Sequence, residues 1–315
     1  MAVAPLRELP LEAVAASAPV TPVPEEPVVP AAPFAASRGF WNNVGRKLVR
    51  DPVAMAAAIV ILLIFAVAIL SPWIVPADPY RGAMLRRLRP IGTPGYPLGS
   101  DELGRDMMSR LMVAGRLSLF MGVTPVILAF GIGSAIGIVA GYVGGWLNTI
   151  MMRTIDVFFA FPSVLLAIAL SGALGAGILN SIVSLTCVFV PQIARVAESV
   201  TTQIRARDYV DAARLSGASA FTIVRVQVLG NVLGPIFVYA TSLISVSMIL
   251  ASGLSFLGLG VKPPEPEWGL MLNTLRTAIY VNPMVAALPG LAIFIVSISF
   301  NLFSDGLRSA MEVKE

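Results

Sequence analysis

The chain has 315 residues, of which 57% are hydrophobic and 13% charged, with a mean hydropathy of +0.83 and a formal net charge of +4. Soluble domains carry about 25% charged residues, so this is an integral membrane protein, and the modest charge spread over loops gives no support to nucleic-acid binding. Histidine is absent, which removes the commonest general base and metal ligand, and the single Cys187 excludes an internal disulfide or a cysteine-rich metal site.

Residues 1–37 hold eight prolines, begin with mixed charge and have no continuous apolar core. That is the composition of a disordered cytoplasmic tail rather than a signal peptide. Arg38, Arg46, Lys47 and Arg50 then lead into a charge-free run over 52–77, long enough for the roughly 20 residues that a bilayer crossing takes. The basic lead-in places the N-terminus in the cytoplasm. Further charge-free runs cover 117–152, 157–194, 226–261 and 277–304. The small-residue stretch 171–177 divides the third run, so six spans are expected, near 53–75, 116–141, 151–171, 178–198, 233–256 and 284–304. An even number puts both termini, and residues 208–235, on the cytoplasmic side. The loop 78–116 then faces outward although it carries seven arginines against four acids; totals over all loops still favour the inside, 13 to 9.

Within that loop, LGSDELGRD at 98–106 places Ser100 ahead of Asp101 and Glu102, the pattern of a helix N-cap followed by first-turn acids. The expectation is a capped interfacial helix running to Arg110. Gly133, Gly137 and Gly141 recur every fourth residue of the second span, a stripe that lets helices approach closely. Asp156 stands three residues after Arg153, a spacing that permits a helical ion pair at the membrane edge.

Residues 208–235 are the one extended stretch between the later apolar blocks with helix-forming, charged character. Asp211, Ala212 and Ala213 lie in a helical run that Gly217 interrupts; a second run, 221–229, is expected to end at Gly230 and Asn231. Helix, glycine turn and helix make a knob projecting from the bilayer surface, with Gly217 adopting φ > 0. Beyond the fifth span, the prolines of KPPEPEW at 262–268 forbid helix. Trp268 there suits either the lipid interface or an aromatic anchor for a partner.

Some chemistry is missing. There is no G-x-x-x-x-G-K-[ST] phosphate loop, and none of the three lysines, Lys47, Lys262 and Lys314, follows a glycine-rich turn. The chain is expected not to hydrolyse ATP. Ionisable side chains are also missing from the middles of the spans, where ion-coupled carriers place them.

The stretch 208–235 resembles the EAA loop of ATP-binding-cassette (ABC) importer permeases, with Asp211 where glutamate is usual. Gln227 and Gly230 stand where the peptide-importer branch has histidine and proline. LGSDELGRDMMSRL at 98–111 resembles the stretch before the second span of dipeptide, oligopeptide and nickel permeases. SFLGLG at 255–260, with the prolines and Trp268-Gly269 that follow, and NLFSDGLR at 301–308 resemble further signatures of that branch. The likeness covers roughly 40–312. It implies an all-α polytopic protein with six transmembrane helices in the type I importer fold. An N-terminal permease segment would occupy 38–115, the core 116–305, and a cytoplasmic C-terminus 306–315.

The resemblance further implies a C-type permease subunit of the inner membrane that is not an enzyme and has no cofactor of its own. Its partners would be a homologous second permease in a heterodimer, two cytoplasmic ATPases that bind the ATP, and a periplasmic or extracellular solute-binding protein. The solutes implied are peptides first, then nickel, glutathione or opine-like compounds; an ion-coupled secondary transporter and a membrane scaffold are the readings from other classes. Asp211, Ala212, Ala213, Gly217, Gln227 and Asn231 would couple to the ATPase. Asp101, Glu102, Arg105 and Trp268 would form the face toward the binding protein.

Overall fold

The computed structural model describes residues 40–311, which form eleven α-helices joined by short helical turns, with no β-strand among the described residues beyond two isolated bridges. The tail expected over 1–37 lies outside the described residues. Asp51 separates α1 (Phe40–Arg50) from α2 (Pro52–Ile74), and its Oδ1 accepts the N–H groups of Val53 at 2.9 Å and Ala54 at 3.1 Å. With Pro52 in the first helical position, where its missing N–H costs nothing, α2 starts sharply.

Helices α3 (Met107–Val143) and α6 (Ile178–Arg205) are the most extensively packed pair, and the glycine stripe is the reason. A Cβ on Gly133, Gly137 or Gly141 would meet the carbonyl oxygens of Val190, Ala194 and Glu198 at 2.8, 2.3 and 2.7 Å. Only glycine admits this backbone contact, which in lipid supplies the van der Waals packing that hydrophobicity cannot.

Five helical stretches are long and apolar enough to cross a membrane: α2, α3, α6, the continuous run Ala220–Phe256, and α11 (Pro283–Met311). The remaining candidate is a bent pair, α4 (Gly145–Phe159) and α5 (Ser163–Leu174), which meet at 87° as a broken span or a re-entrant loop. Pro162 lies at the bend; it has no N–H and disfavours helical backbone at Phe161. Six crossings are thus present if the pair counts as one, with the third, expected near 151–171, broken at the bend.

Three expectations are corrected here. Ser100 caps no helix: α3 begins at Met107 with Asp106 as its N-cap, the side chain accepting the Ser109 N–H at 2.8 Å. Ser100 instead ties the preceding loop, donating to the Arg86 carbonyl and accepting the Arg89 N–H at 2.8 Å. Gly104, at φ 74° and with the Ala83 carbonyl 2.0 Å from where a Cβ would sit, keeps 101–104 in a turn. Second, the run starting at Phe221 does not stop at Gly230 and Asn231. It passes from α8 (Ala220–Ile223) through a π-helical turn (Val224–Val228) into α9 (Leu229–Phe256). Burial of Val228 and Val232 on either side outweighs the ~1 kcal/mol helix penalty of a glycine. Third, Asp156 pairs with Arg195 of α6, not with Arg153, because α4 lies against α6 and Arg195 also sits 6.0 Å from the Phe159 ring centroid.

The contacts define two ends of the bundle. At one lie α1, the α3–α4 junction, α7 and α8, and the end of α11. At the other, the distal end, lie the loop 75–106, the α5–α6 junction, whose Gly177 N–H donates to the Leu259 carbonyl at 3.0 Å, and α10 (Trp268–Thr274).

Candidate functional site

The segment after α6 folds as a knob because its cap chemistry is satisfied locally. Helix α7 (Asp208–Leu215) has Asp208 and Asp211 in its first turn, where carboxylates favour the positive end of the helix dipole. It closes in a Schellman motif: Gly217 at φ 78° donates to the Arg214 carbonyl at 3.0 Å, and Ala218 donates to Ala213 at 3.1 Å. Ser219 then caps α8, its Oγ accepting the Thr222 N–H at 3.3 Å. Beneath the turn, Val210, Ile223 and Val228 are buried in the main apolar cluster and fix the knob to the bundle.

Above these anchors the knob is exposed. Asp211 has a side chain 60% exposed and takes a 2.9 Å ion pair from Arg214, whose guanidinium lies 5.8 Å from the Tyr142 ring centroid at the end of α3. Ala212 is exposed and Ala213 half-buried, so α7 offers a face without bulk between the charged residues. Asn231 joins α7 to α9, donating to the Gln227 carbonyl at 2.6 Å and to the Tyr209 hydroxyl at 3.4 Å. Of the six residues expected here, Asp211, Ala212, Ala213 and Gly217 lie on α7 and its closing turn, while Gln227 and Asn231 lie inside the continuous helix that Asn231 ties to Tyr209 of α7. Leu215 and Phe221, for which no role was expected, are 90% and 75% exposed and flank the glycine turn. Their signal was present: apolar residues next to a turn whose inward positions Val210 and Ile223 already occupy.

Beside the knob, α9 and α11 border a half-open 710 Å³ cavity lined by Asn231, Tyr239, Ser242, Ser304, Asp305 and Arg308 among others. The last three belong to the closing signature of the chain. Among the described residues, no group of three His, Cys, Asp or Glu side chains is placed to hold a metal ion.

The distal end is built the opposite way. Asp101 is 1% exposed; its carboxylate accepts the N–H groups of Leu103 and Arg105 at 2.9 and 2.8 Å, the Arg105 Nε at 2.5 Å, and lies 3.2 Å from Arg110 Nε. Glu102 pairs with Arg105 at 2.9 Å. Trp268 does not offer an exposed anchor and does not lie in lipid. It is 4% exposed, its indole N–H donating to the Leu111 carbonyl and its backbone N–H to Ser118 Oγ, both at 3.0 Å. Glu267, which the sequence reading passed over, caps α10 through the N–H groups of Gly269 and Leu270, both at 2.9 Å, and accepts from Ser118 at 3.0 Å. Burial pushes its carboxyl up, against hydrogen bonds that favour the ionised form. Asp101, Arg105 and Trp268 are thus internal supports of this end rather than its surface, because each polar group finds its partner inside.

Two family models match the chain. Residues 133–314 match the binding-protein-dependent transport system inner membrane component, and 39–90 match the N-terminal TM domain of oligopeptide transport permease C. The chain is 39% identical over 274 residues to the glutathione transport system permease protein GsiD of Pectobacterium atrosepticum, covering 87% of this chain and 91% of that one. It is 40% identical to GsiD of Escherichia coli O6:K15:H31, covering 87% and 90%. Among solved structures, an inward-facing form of the MetNI methionine ABC transporter matches with a TM-score of 0.53 at 20% identity, over 65% of this chain and 97% of that one. This likeness shows the fold. The chain belongs to the family of binding-protein-dependent transport system inner membrane components, and it is an ABC importer permease.

Proposed function

We propose that the α7–α8 knob is the surface through which this permease receives the motion of a cytoplasmic ATPase. The observation that carries the reading is the Schellman-closed turn, which holds Asp211, Leu215 and Phe221 exposed on a base anchored by Val210 and Ile223. Exposed apolar side chains on a rigid projection are what a partner groove takes up at low entropic cost. Two ATPase subunits bind the ATP, and this chain, with no cofactor of its own, forms half of a heterodimer with a second permease. The knob end and both termini lie in the cytoplasm of a cell bounded by this inner membrane, as the 13-to-9 excess of basic residues on that side favours. Closure of the ATPases brings the two knobs together and shifts the bundle from inward- to outward-facing.

The solute is a small peptide delivered by a solute-binding protein, with glutathione first. Two observations support this: the printed names of the GsiD relatives, and the 710 Å³ cavity next to the knob, within the roughly 300–1,000 Å³ of small-molecule sites. Aspartate and arginine both line it, as suits a zwitterionic solute.

The test is solute-stimulated ATP hydrolysis by the assembled transporter in lipid nanodiscs. Asp211→Lys is expected to abolish stimulation while leaving insertion of the permease intact. Normal stimulation in that variant removes the coupling role from Asp211.

A further inference from the structure

The ion pair between Asp156 of α4 and Arg195 of α6 lies outside the apolar core and has no part in the knob. Its two side chains are 41% and 42% exposed. Both residues fall inside stretches read as spans, 151–171 and 178–198, and each stands about 15 Å along its helix from the knob end at the ~1.5 Å rise per residue. Neither partner is saturated. Arg195 donates to Asp156 through Nη2 alone, although a guanidinium has five N–H donors, and Asp156 accepts through Oδ1 alone. Arg153, one turn earlier on α4, is exposed and in no ion pair among the described residues.

The chain beside the pair is open as well. Residues 157–162, where α4 turns by 87° into α5, are all exposed. Arg195 lies 6.0 Å from the Phe159 ring centroid, and a 140 Å³ cleft lined by Phe158, Phe159, Phe161 and Gln192 adjoins it. Acyl chains are excluded from this face on two counts. An exposed ion pair at such a depth faces water or protein, and non-helical backbone within a bilayer is tolerated only under the same condition. An apolar protein surface laid over the pair would strip water from both charges, a loss that their mutual attraction offsets poorly. The face therefore suits a polar occupant, and one that meets the pair group for group carries both an ammonium and a carboxylate. With Arg153 the face holds two cations and one anion, the complement of a peptide with two carboxylates and one ammonium, such as glutathione.

We propose that Asp156, Arg195 and Phe159 form a solute-binding subsite on the translocation path. The solute's ammonium sits on Asp156 and a carboxylate on Arg195, with Arg153 facing the second carboxylate and Phe159 the apolar part. This rests on the peptide-importer reading and names side chains for it; the subsite shares no residue with the cavity between α9 and α11, so the two can be tested separately.

The experiment places a reporter at the cleft. The complete transporter, carrying Phe161→Cys in a Cys187→Ala background, is reacted in nanodiscs with a membrane-impermeant cationic methanethiosulfonate, and modification of this chain is followed by its mass. The probe is S-methylglutathione, which has no free thiol. Saturating probe is expected to slow labelling about tenfold or more. Asp156→Asn and Arg195→Gln each raise the probe concentration for half-protection about tenfold or more, whereas Asp156→Glu raises it less. N-acetylation of the probe, which removes its ammonium, weakens protection about tenfold with Asp156 present and has little further effect in Asp156→Asn, a coupling that a purely structural ion pair would not show. Protection of the unsubstituted pair by the two probes tests the site even where a variant fails to assemble. An unreactive cysteine at 161 means that the second permease or lipid covers the face, and overturns the proposal. So does labelling that the probe does not slow, or an N-acetylation effect that is the same with and without Asp156. In each of these cases, stimulation of ATP hydrolysis by the glutathione-loaded solute-binding protein of the same transport system leaves the importer reading standing. Absence of that stimulation removes the glutathione reading and this proposal together.

Discussion

The knob and the distal end carry equally conspicuous sequence signatures and use them in opposite ways. At the knob, Asp211, Leu215 and Phe221 face solvent, and the only buried parts are apolar anchors. At the distal end, Asp101, Arg105, Arg110, Glu267 and Trp268 are all buried, bonded to one another or to backbone. The difference teaches that a motif's residue types do not say whether it works on a partner or on its own fold. Where the internal hydrogen-bonding capacity is filled, the residues are supports; where it is left open, they are available to another surface.

The largest effects should come from breaking the buried side of this comparison. Asp101→Ala leaves Arg105 and Arg110 facing each other without their shared carboxylate, and loss of one partner of a buried pair costs about 3–5 kcal/mol. Thermal unfolding of the detergent-solubilised protein checks this; a midpoint close to wild type would mean that the arginines repartner at the surface. Trp268→Ala is expected to cost a similar ~3–5 kcal/mol, since the ring fills space against Gly115 and Ala68 and donates to Leu111. Retained stability with lost docking would return Trp268 to the surface role expected from sequence.

Glu267 gives a smaller, pH-dependent effect. Its carboxyl is raised in the fold, so the folded protein binds that proton more tightly than the unfolded chain. Its contribution is therefore most favourable below the unfolded glutamate range near ~4.3, and it declines as pH rises through the raised folded value. Glu267→Gln, neutral at every pH, is expected to remove that decline, so its stability relative to wild type rises with pH. Parallel stability–pH curves for the two proteins would refute the burial argument.

On the exposed side, stability should respond less than in the buried network, and function strongly. Gly217→Val forces a β-branched residue into φ 78°, costing roughly 1–3 kcal/mol, although nothing lies within 4 Å of the site to clash. Copurification of ATPase subunits is expected to fall, whereas Gly217→Asn, tolerant of this conformation, keeps more. Asp211→Lys should shift unfolding by only about 1–2 kcal/mol, because an exposed pair such as Asp211–Arg214 contributes about 0–1 kcal/mol and a first-turn carboxylate about 0.3–1 kcal/mol. A large shift would make Asp211 a support and weaken the comparison itself.

The sequence by itself determined the membrane class, the apolar runs that form the crossings, the close-packing glycine stripe and the positive-φ turn at Gly217. Each follows from local chemistry or from periodicity, which a linear reading captures: charge-free length, a four-residue repeat, a glycine between two helical runs. Only the tertiary structure decided what long-range partners decide. Asp156 had a plausible neighbour at i−3, yet α6 brought Arg195 closer. Ser100 had the pattern of a cap, yet the close approach of Ala83 to Gly104 kept that segment a turn and moved the cap to Asp106. Gly230 and Asn231 read as a stop, yet burial on both sides carried the helix through them. Trp268 read as an interfacial residue or a partner's anchor until α3 supplied the carbonyl of Leu111, more than 150 residues away in the chain, for its indole N–H. Burial and pairing are properties of contacts between distant segments, and no local pattern encodes them.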